Sequence, residues 1–386
     1  MKYRKFGKLD WKVSALGFGA MRLPVLGENP AAGNPDVNEP EAIRMIRHSI
    51  DQGVNYLDTA YPYHGGKSEV VVGNALRDGY REKIKLATKM PSWFIQQYDD
   101  FDKYLNEQLE KLQTDHIDFY LLHGLNKQHW PKLRDLQVGK WAENTIKDGR
   151  IGYLGFSFHD DLATFKQIID EYDRWTFCQI QYNFMDIEYQ AGTEGLKYAA
   201  DKGLALVIME PLRGGQLAKE PPEAVKKIWE TSPPKRSPAD WALQWLWNQP
   251  EVSVVLSGMS TRQQVIDNIA SAERSAIESM NEKRSALVDE VRKNYRDLGP
   301  VPCSGCAYCL PCPNRVNIPH AFQYYNDAIM YNDPRTARFR YRQEPKEAWA
   351  DNCIECLECE EKCPQQIPIA EWLKKAHDYL GPRKKV

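Results

Sequence analysis

The stretch "ALGFGAMRLPVLGENPAAGNP", residues 15–35, decides between two ways of building a parallel α/β protein. Its opening apolar run ends in Gly17-Phe18-Gly19, the first half of the Gly-x-Gly-x-x-Gly turn of a dinucleotide-binding doubly wound sheet. The third glycine is missing, and Pro24 with a loop rich in Pro, Gly and Asn stands where such a turn must open a helix. The segment 24–40 reads instead as a long connection of the kind that covers a site or stays mobile.

Seven more short runs rich in apolar and β-branched residues follow. They are "VNYLDTA" (54–60), "IKLATKM" (84–90), "IDFYLLH" (117–123), "IGYLGFSFH" (151–159), "FCQIQYN" (177–183), "LALVIMEPL" (204–212) and "VSVVLSG" (252–258). Segments of helical period separate them, such as "PEAIRMIRHSIDQG" after the first run and "DKYLNEQLEKLQ" after the third. Apolar strands alternating with helices describe a parallel sheet covered by helices. Eight such units over roughly 250 residues fit a closed (β/α)8 TIM barrel better than an open sheet. Trp241 and Trp245 read as core positions of a helix, and Cys178 as a buried thiol within a strand.

Bulk composition excludes several partners. A formal net charge of −2 argues against a nucleic-acid binder, and 42% hydrophobic residues suit a water-soluble globular chain. No apolar run is long enough to cross a bilayer, and the start "MKYRKFGKLDW" lacks the apolar core of a leader peptide. The expected location is the cytoplasm, where clustered cysteines bind metal more often than they form disulfides.

In a barrel of this kind the chemistry sits at the C-terminal ends of the strands. Asp58, Lys89 and His123 stand at three consecutive strand ends, with Tyr63 five residues beyond Asp58. Singly, each has an ordinary structural reading: a turn cap, a surface lysine, a satisfied core histidine. Together they form a set that can move a proton. "YLDTAYPYHGGKSE" (56–69), "LATKM" (86–90), "IDFYLLHG" (117–124) and "CQIQYN" (178–183) resemble the aldo-keto reductase family in content and order, over about residues 1–275.

That resemblance implies hydride transfer between a nicotinamide cofactor and a small-molecule carbonyl, with Asp58, Tyr63, Lys89 and His123 as the catalytic tetrad. Carbonyl reduction needs hydride at carbon and a proton at oxygen. A tyrosine ordinarily ionises near pH 10, so a proton donor at position 63 calls for a cation that stabilises the phenolate. Lys89 supplies one if Asp58 anchors it, and a His123 N–H orients the substrate oxygen. Lys89 is thus expected to lower the Tyr63 pKa. Trp93 and His64 are expected to line the substrate mouth, Trp93 as the aromatic wall.

The cofactor residues implied by the resemblance are Gly19, Ser157, Gln179, Met209, Pro211, Leu212, Gly214, Gly258, Arg262, Gln264 and Asn268. Several depart from the family pattern. Phe158 follows Ser157 where Asn is usual, and Met209 replaces an aromatic that stacks on the nicotinamide. Gly258 and Gln264 occupy the places of a Lys/Arg pair that grips a 2′-phosphate, leaving Arg262 as the nearby cation. NADP and NAD both stay open, weak nicotinamide binding is allowed, and a flavin is not excluded.

Eight of the nine cysteines lie in the C-terminal part, in "CSGCAYCLPCP" (303–313) and "CIECLECEEKCP" (353–364). Each is a Cys-x2-Cys-x2-Cys run followed by a fourth Cys and Pro. In two-cluster ferredoxins the last cysteine of each run serves the other cluster. Cys303, Cys306, Cys309 and Cys363 would then hold one [4Fe–4S] cluster, and Cys353, Cys356, Cys359 and Cys312 a second. The first run is one residue short before Cys312. Zinc is the alternative, but paired Cys-x2-Cys sites would leave a cysteine over in each run. Helical spacing in 318–331 and 369–381, led in by a helix over 281–299, describes a small α-helical ferredoxin-like domain. The expected division is a barrel over 1–295 and an iron–sulfur domain over 296–386, resembling an aldo-keto reductase branch that carries a C-terminal ferredoxin domain.

Such clusters pass single electrons whereas nicotinamide gives up two. Three roles follow: a carbonyl reductase with structural clusters, an enzyme linked to ferredoxin or another electron-transfer protein, and a non-enzymatic redox or oxygen sensor on a reductase scaffold.

Overall fold

The computed structural model describes residues 1–27 and 36–382, so part of the 24–40 connection lies outside the described residues. The chain forms two compact units. One comprises 1–218 and 237–281; the other comprises 219–236 and 282–386. This differs from the expected break at 295/296, because the segment 219–236 and the helix Glu282–Asp297 belong with the cysteine-bearing unit.

The first unit begins with an antiparallel hairpin, β1 (Tyr3–Phe6) and β2 (Leu9–Ser14), that the strand reading did not include. Its signal was a short alternation: Tyr3 and Lys5 are exposed while Arg4 and Phe6 are buried. Phe6 packs 4.7 Å from the Phe119 ring centroid and is grouped with Tyr56, Phe177 and Val254 in the barrel core. Gly7 sits at φ 55 in the turn, where a Cβ would come within 2.7 Å of the Ala205 backbone nitrogen. The buried Arg4 guanidinium donates to the carbonyls of Trp247 and Gln249. Burial lowers its pKa to about 10, with Glu251 opposing the shift.

Eight parallel strands then close on themselves. They are β3 (Leu16–Gly19), β4 (Tyr56–Asp58), β5 (Lys85–Met90), β6 (Ile117–Leu125), β7 (Ile151–Phe158), β8 (Phe177–Gln181), β9 (Ala205–Met209) and β10 (Val252–Gly258). The order around the barrel is β10-β3-β4-β5-β6-β7-β8-β9. All eight expected runs are strands, with the second trimmed to three residues and the fourth extended to Leu125. Because the strands are parallel, Gly19, Asp58, Lys89, His123, Phe158, Met209 and Gly258 come to one rim. The helix after β3, Glu39–Asp51, is capped by Asn38 and buries Ala42, Met45, Ile46, Ser49 and Ile50 at helical spacing. Trp241 and Trp245 are buried in the helix Pro238–Trp247, and Cys178 is fully buried in β8.

The second unit is helical. Ile318–Met330 and Ile369–Leu380 follow the expected spans closely. Pro334–Gln343, which the sequence reading did not include, buries Ala337 and Tyr341, one helical turn apart, among many charged neighbours. Phe322, Ile318, Ile367 and Ile369 belong to its core, with Cys303, Cys309, Cys312, Cys353, Cys359 and Cys363 packed against it.

The two cysteine loops share several left-handed backbone positions. Gly305 and Glu355 follow the first cysteine by two residues at φ 73 and 55, and Ala307 and Leu357 follow by four at φ 62 and 63. Arg315 and Gln366, each three residues past the fourth cysteine, lie at φ 61 and 52. Glu355 N–H donates to Cys353 Sγ at 3.4 Å. Matching left-handed positions occupied by non-glycine residues mark loops whose shape is required for something other than local preference.

Candidate active site and cysteine centres

Lys89 is the hub of the barrel rim. Its Nζ donates to Asp58 Oδ1 at 2.6 Å, to the Thr59 carbonyl at 2.8 Å and to Tyr63 Oη at 3.3 Å. Lys89 and Asp58 are 1% and 2% exposed, so this ion pair is almost wholly removed from water. Burial works against the Lys89 ammonium, yet Asp58 and Tyr63 outweigh it and its pKa lies above the ordinary lysine value. Asp58 Oδ2 is buried without a hydrogen-bond partner.

Tyr63 opens a short 3-10 turn after β4, Tyr63–Gly66, with its ring edge-on to His123 at 6.1 Å. The expected downward shift of its pKa is not the net result. Burial pushes the phenol above its ordinary value, and Lys89 only partly reverses this against Asp58 and Glu210. The phenol is therefore protonated at neutral pH. His123 is held neutral by burial, with Lys89 adding to the effect, and its Nδ1 is buried without a partner. The Trp93 ring lies 5.1 Å from His123 and continues outward to Phe94 at 5.8 Å. His64 is tied elsewhere: its Nε2 accepts from the Leu23 N–H at 3.2 Å.

Other rim residues supply polar groups and open turns of the kind a nicotinamide dinucleotide needs. Ser157 and Gln179 are side by side in register on β7 and β8, both buried. Ser157 Oγ accepts from Gly124 N–H at 2.8 Å, which leaves its own hydroxyl proton to donate. Gln179 Oε1 is a buried acceptor without a partner. A donor and an acceptor side by side suit a carboxamide. Met209 ends β9, Pro211 and Leu212 follow, and Gly214 and Gly215 turn the chain at φ 68 and 93 with open space beside Gly215. Gly19 pairs with Gly258 across β3 and β10.

Two of the implied contacts are engaged locally. Gln264 Oε1 accepts from Ser260 N–H while Thr261 Oγ1 caps Gln264 N–H, opening the helix Arg262–Glu273. Asn268 donates to Ser257 Oγ at 3.0 Å. Arg262 is exposed at the first position of that helix.

In the second unit the cysteines gather as two sets of four. Cys303, Cys306, Cys309 and Cys363 line one cavity. Cys312, Cys353, Cys356 and Cys359 line another. Each run thus sends its last cysteine to the other run's cavity. Cys309 and Ile318 line both cavities, so the two share a wall. Among the described residues no three His, Cys, Asp or Glu side chains converge on a position for a single metal ion. Cysteines spread around a cavity suit the corners of a multi-atom cluster.

Residues 15–287 match the Aldo/keto reductase family, and residues 302–367 match the 4Fe-4S dicluster domain. The chain belongs to the aldo/keto reductase family. The uncharacterized oxidoreductase YqkF of Bacillus subtilis is 27% identical over 335 residues, covering 77% of this chain and 100% of that protein. L-galactose dehydrogenase of Arabidopsis thaliana is 26% identical over 323 residues, covering 77% and 96%. Among solved structures, the aldo-keto reductase AKR11C1 from Bacillus halodurans in its holo form aligns with a TM-score of 0.62 at 28% identity, covering 75% of this chain and 96% of that one. This chain is an oxidoreductase of the aldo/keto reductase type that carries a 4Fe-4S dicluster domain.

Three features of this aldo/keto reductase were not read from its sequence. The Thr59 carbonyl is a third acceptor for Lys89, invisible because it is backbone. Glu210 follows β9 at φ 53 and acts electrostatically on Tyr63 and His159. Arg22, from the turn after β3, lies across Gly258, where a Cβ would meet its Cβ, Cγ and Cδ at 3.2 Å. The absence of a side chain at Gly258 thus makes room for the Arg22 side chain from the turn after β3.

Among the described residues no helix is long and apolar enough to cross a membrane.

Proposed function

We propose that this protein reduces an aldehyde or ketone with NADPH or NADH, using Tyr63 as the proton donor. One observation carries the reading: the Lys89 ammonium bonds Asp58, the Thr59 carbonyl and Tyr63 together, next to a neutral His123. When bound, the nicotinamide supplies hydride to the carbonyl carbon. Tyr63 Oη gives its proton to the carbonyl oxygen. Lys89, fixed by Asp58 and Thr59, stabilises the phenolate that remains, in a site where water does not screen it. His123 donates an N–H to the oxygen as charge develops, and Trp93 excludes water from the mouth.

Ser157 and Gln179 would hold the carboxamide, Met209 would pack against the ring, and Pro211, Leu212 and Gly214 would face the pyrophosphate. Gly19 and Gly258 would let the backbone approach. Arg22 and Arg262 would take a 2′-phosphate, with Gln264 and Asn268 shaping the adenosine end. Cys303, Cys306, Cys309 and Cys363 would ligate one [4Fe–4S] cluster, and Cys353, Cys356, Cys359 and Cys312 the other; when bound, these supply single electrons. Anaerobically purified protein, given NADPH or NADH and a panel of aldehydes and ketones, tests the reading. Tyr63→Phe should abolish turnover with nucleotide affinity retained; unchanged turnover would remove Tyr63 from the chemistry.

A second reading is electron exchange between the clusters and an external carrier. It is favoured by the exposure of Cys306 and Cys356, one cysteine in each set. Reduction of the clusters by a small photoreductant, followed by electron paramagnetic resonance, tests whether they accept electrons at all.

A further inference from the structure

The two cysteine loops share left-handed backbone positions but differ in the charge of their side chains. Residues 303–312 contain no charged side chain, whereas 353–362 contain Glu355, Glu358, Glu360 and Glu361 against Lys362 alone. Ile354 is 62% exposed and Leu357 49%, flanking the exposed Cys356. Glu355, Glu358 and Glu361 are exposed and form no ion pair with any described residue. Glu360 is turned inward, its Oε1 accepting from Ala370 N–H at 2.9 Å.

Backbone preference does not account for these choices. Glu355 and Leu357 occupy left-handed positions where the other loop has Gly305 and Ala307. A side chain there costs about 1–2 kcal/mol relative to glycine. Glu355 takes on that cost where the other loop has glycine, and Leu357, at a position where both loops carry a Cβ, presents a large exposed apolar side chain where the other loop has alanine. An apolar centre over a redox-ligand position, ringed by unpaired carboxylates, has the layout of a transient protein interface with electrostatic steering.

We propose that Ile354 and Leu357, ringed by Glu355, Glu358 and Glu361, form the docking face for a one-electron carrier protein with a basic surface. The inference rests on the electron-exchange reading. In the outward direction one electron leaves a reduced cluster, which returns to its oxidised state, and reduces one acceptor centre on the carrier; no proton moves. The inward direction is the reverse. Electrons pass between the two cluster sites across the wall formed by Cys309 and Ile318.

The test uses full-length protein with its clusters and two probes: cytochrome c, a basic carrier, and an acidic [2Fe–2S] ferredoxin. Binding is measured with redox-inert zinc-substituted cytochrome c across a range of salt concentrations. Electron transfer from the photoreduced protein to ferricytochrome c is followed by stopped flow. The proposal expects cytochrome c to bind at least tenfold more tightly than the ferredoxin at low salt and to weaken as salt rises. Glu355→Lys/Glu358→Lys should cut its affinity at least tenfold without changing iron content or photoreduction. Leu357→Gly, which relieves the backbone, should weaken binding several-fold with no loss of thermal stability. Salt-independent binding, binding indifferent to the charge reversal, or tighter binding of the ferredoxin would overturn the docking face. Clusters that never accept an electron would instead overturn the electron-exchange reading beneath it.

Discussion

Lys89 Nζ stands 3.3 Å from Tyr63 Oη, close enough to stabilise a phenolate, while the phenol itself is kept protonated by burial. The two effects oppose each other, and their balance sets the behaviour of the site. The ammonium acts mainly once the proton has left. That arrangement suits the proposed reduction, in which the tyrosine would start with its proton in place.

The buried pair can be dissected by a double-mutant cycle. Lys89→Met leaves the Asp58 carboxylate without its partner and should cost about 3–5 kcal/mol in urea unfolding. Asp58→Asn/Lys89→Met, with no net charge left in the pair, should recover most of that loss. Neither should reduce a carbonyl at better than about a hundredth of the native rate.

The pH profile of reduction follows from the signs of the shifts. Tyr63 must be protonated, and its pKa lies above the ordinary 10.0. His123 must be neutral, and its pKa lies well below the ordinary 6.5. Single-turnover reduction should therefore stay flat between those two ordinary values. It should fall below them as His123 gains a proton and above them as Tyr63 loses one. An inflection near pH 8 would show that Lys89 dominates Tyr63 after all.

Cofactor choice should depend on Arg22. Arg22→Ala should weaken NADPH binding about tenfold, the value of one charge-assisted contact, and change NADH binding less than twofold. Fluorescence titration of each nucleotide checks this. Equal loss for both would place Arg22 outside a 2′-phosphate site.

The crossed cysteine sets predict which cluster each fourth cysteine controls. Cys363→Ala should disturb the cluster held by Cys303, Cys306 and Cys309, and Cys312→Ala the one held by Cys353, Cys356 and Cys359. Iron content should fall to about half in each variant, with different residual magnetic resonance spectra. Identical residual spectra would contradict the crossing.

The barrel should be intolerant of bulk where β7 meets β8. A Cβ on Gly155 would lie 2.5 Å from the Phe177 ring and 2.6 Å from its carbonyl oxygen. Gly155→Ala should destabilise the protein by about 1–3 kcal/mol in chemical denaturation.

Much of this was legible in the sequence because it is written in contiguous residues. Strands such as "IDFYLLH" and helices such as "PEAIRMIRHSIDQG" carry their periods locally, and eight alternations leave a parallel barrel as the economical closure. The cysteine spacing likewise announced clusters without any knowledge of the fold. The hairpin Tyr3–Ser14 was signalled too weakly, by two short strands around Gly7.

What only tertiary structure decided depends on residues distant in the chain. Whether Tyr63 is acidified or not is the difference between burial by its surroundings and the pull of Lys89, and no local pattern holds that difference. Arg22 reaches Gly258 only because β3 closes the barrel against β10. The sequence by itself determined which elements form and which chemical groups they carry. Their pairing, burial and net electrostatic balance came from folding, because those quantities are sums over neighbours that the chain brings together only in three dimensions.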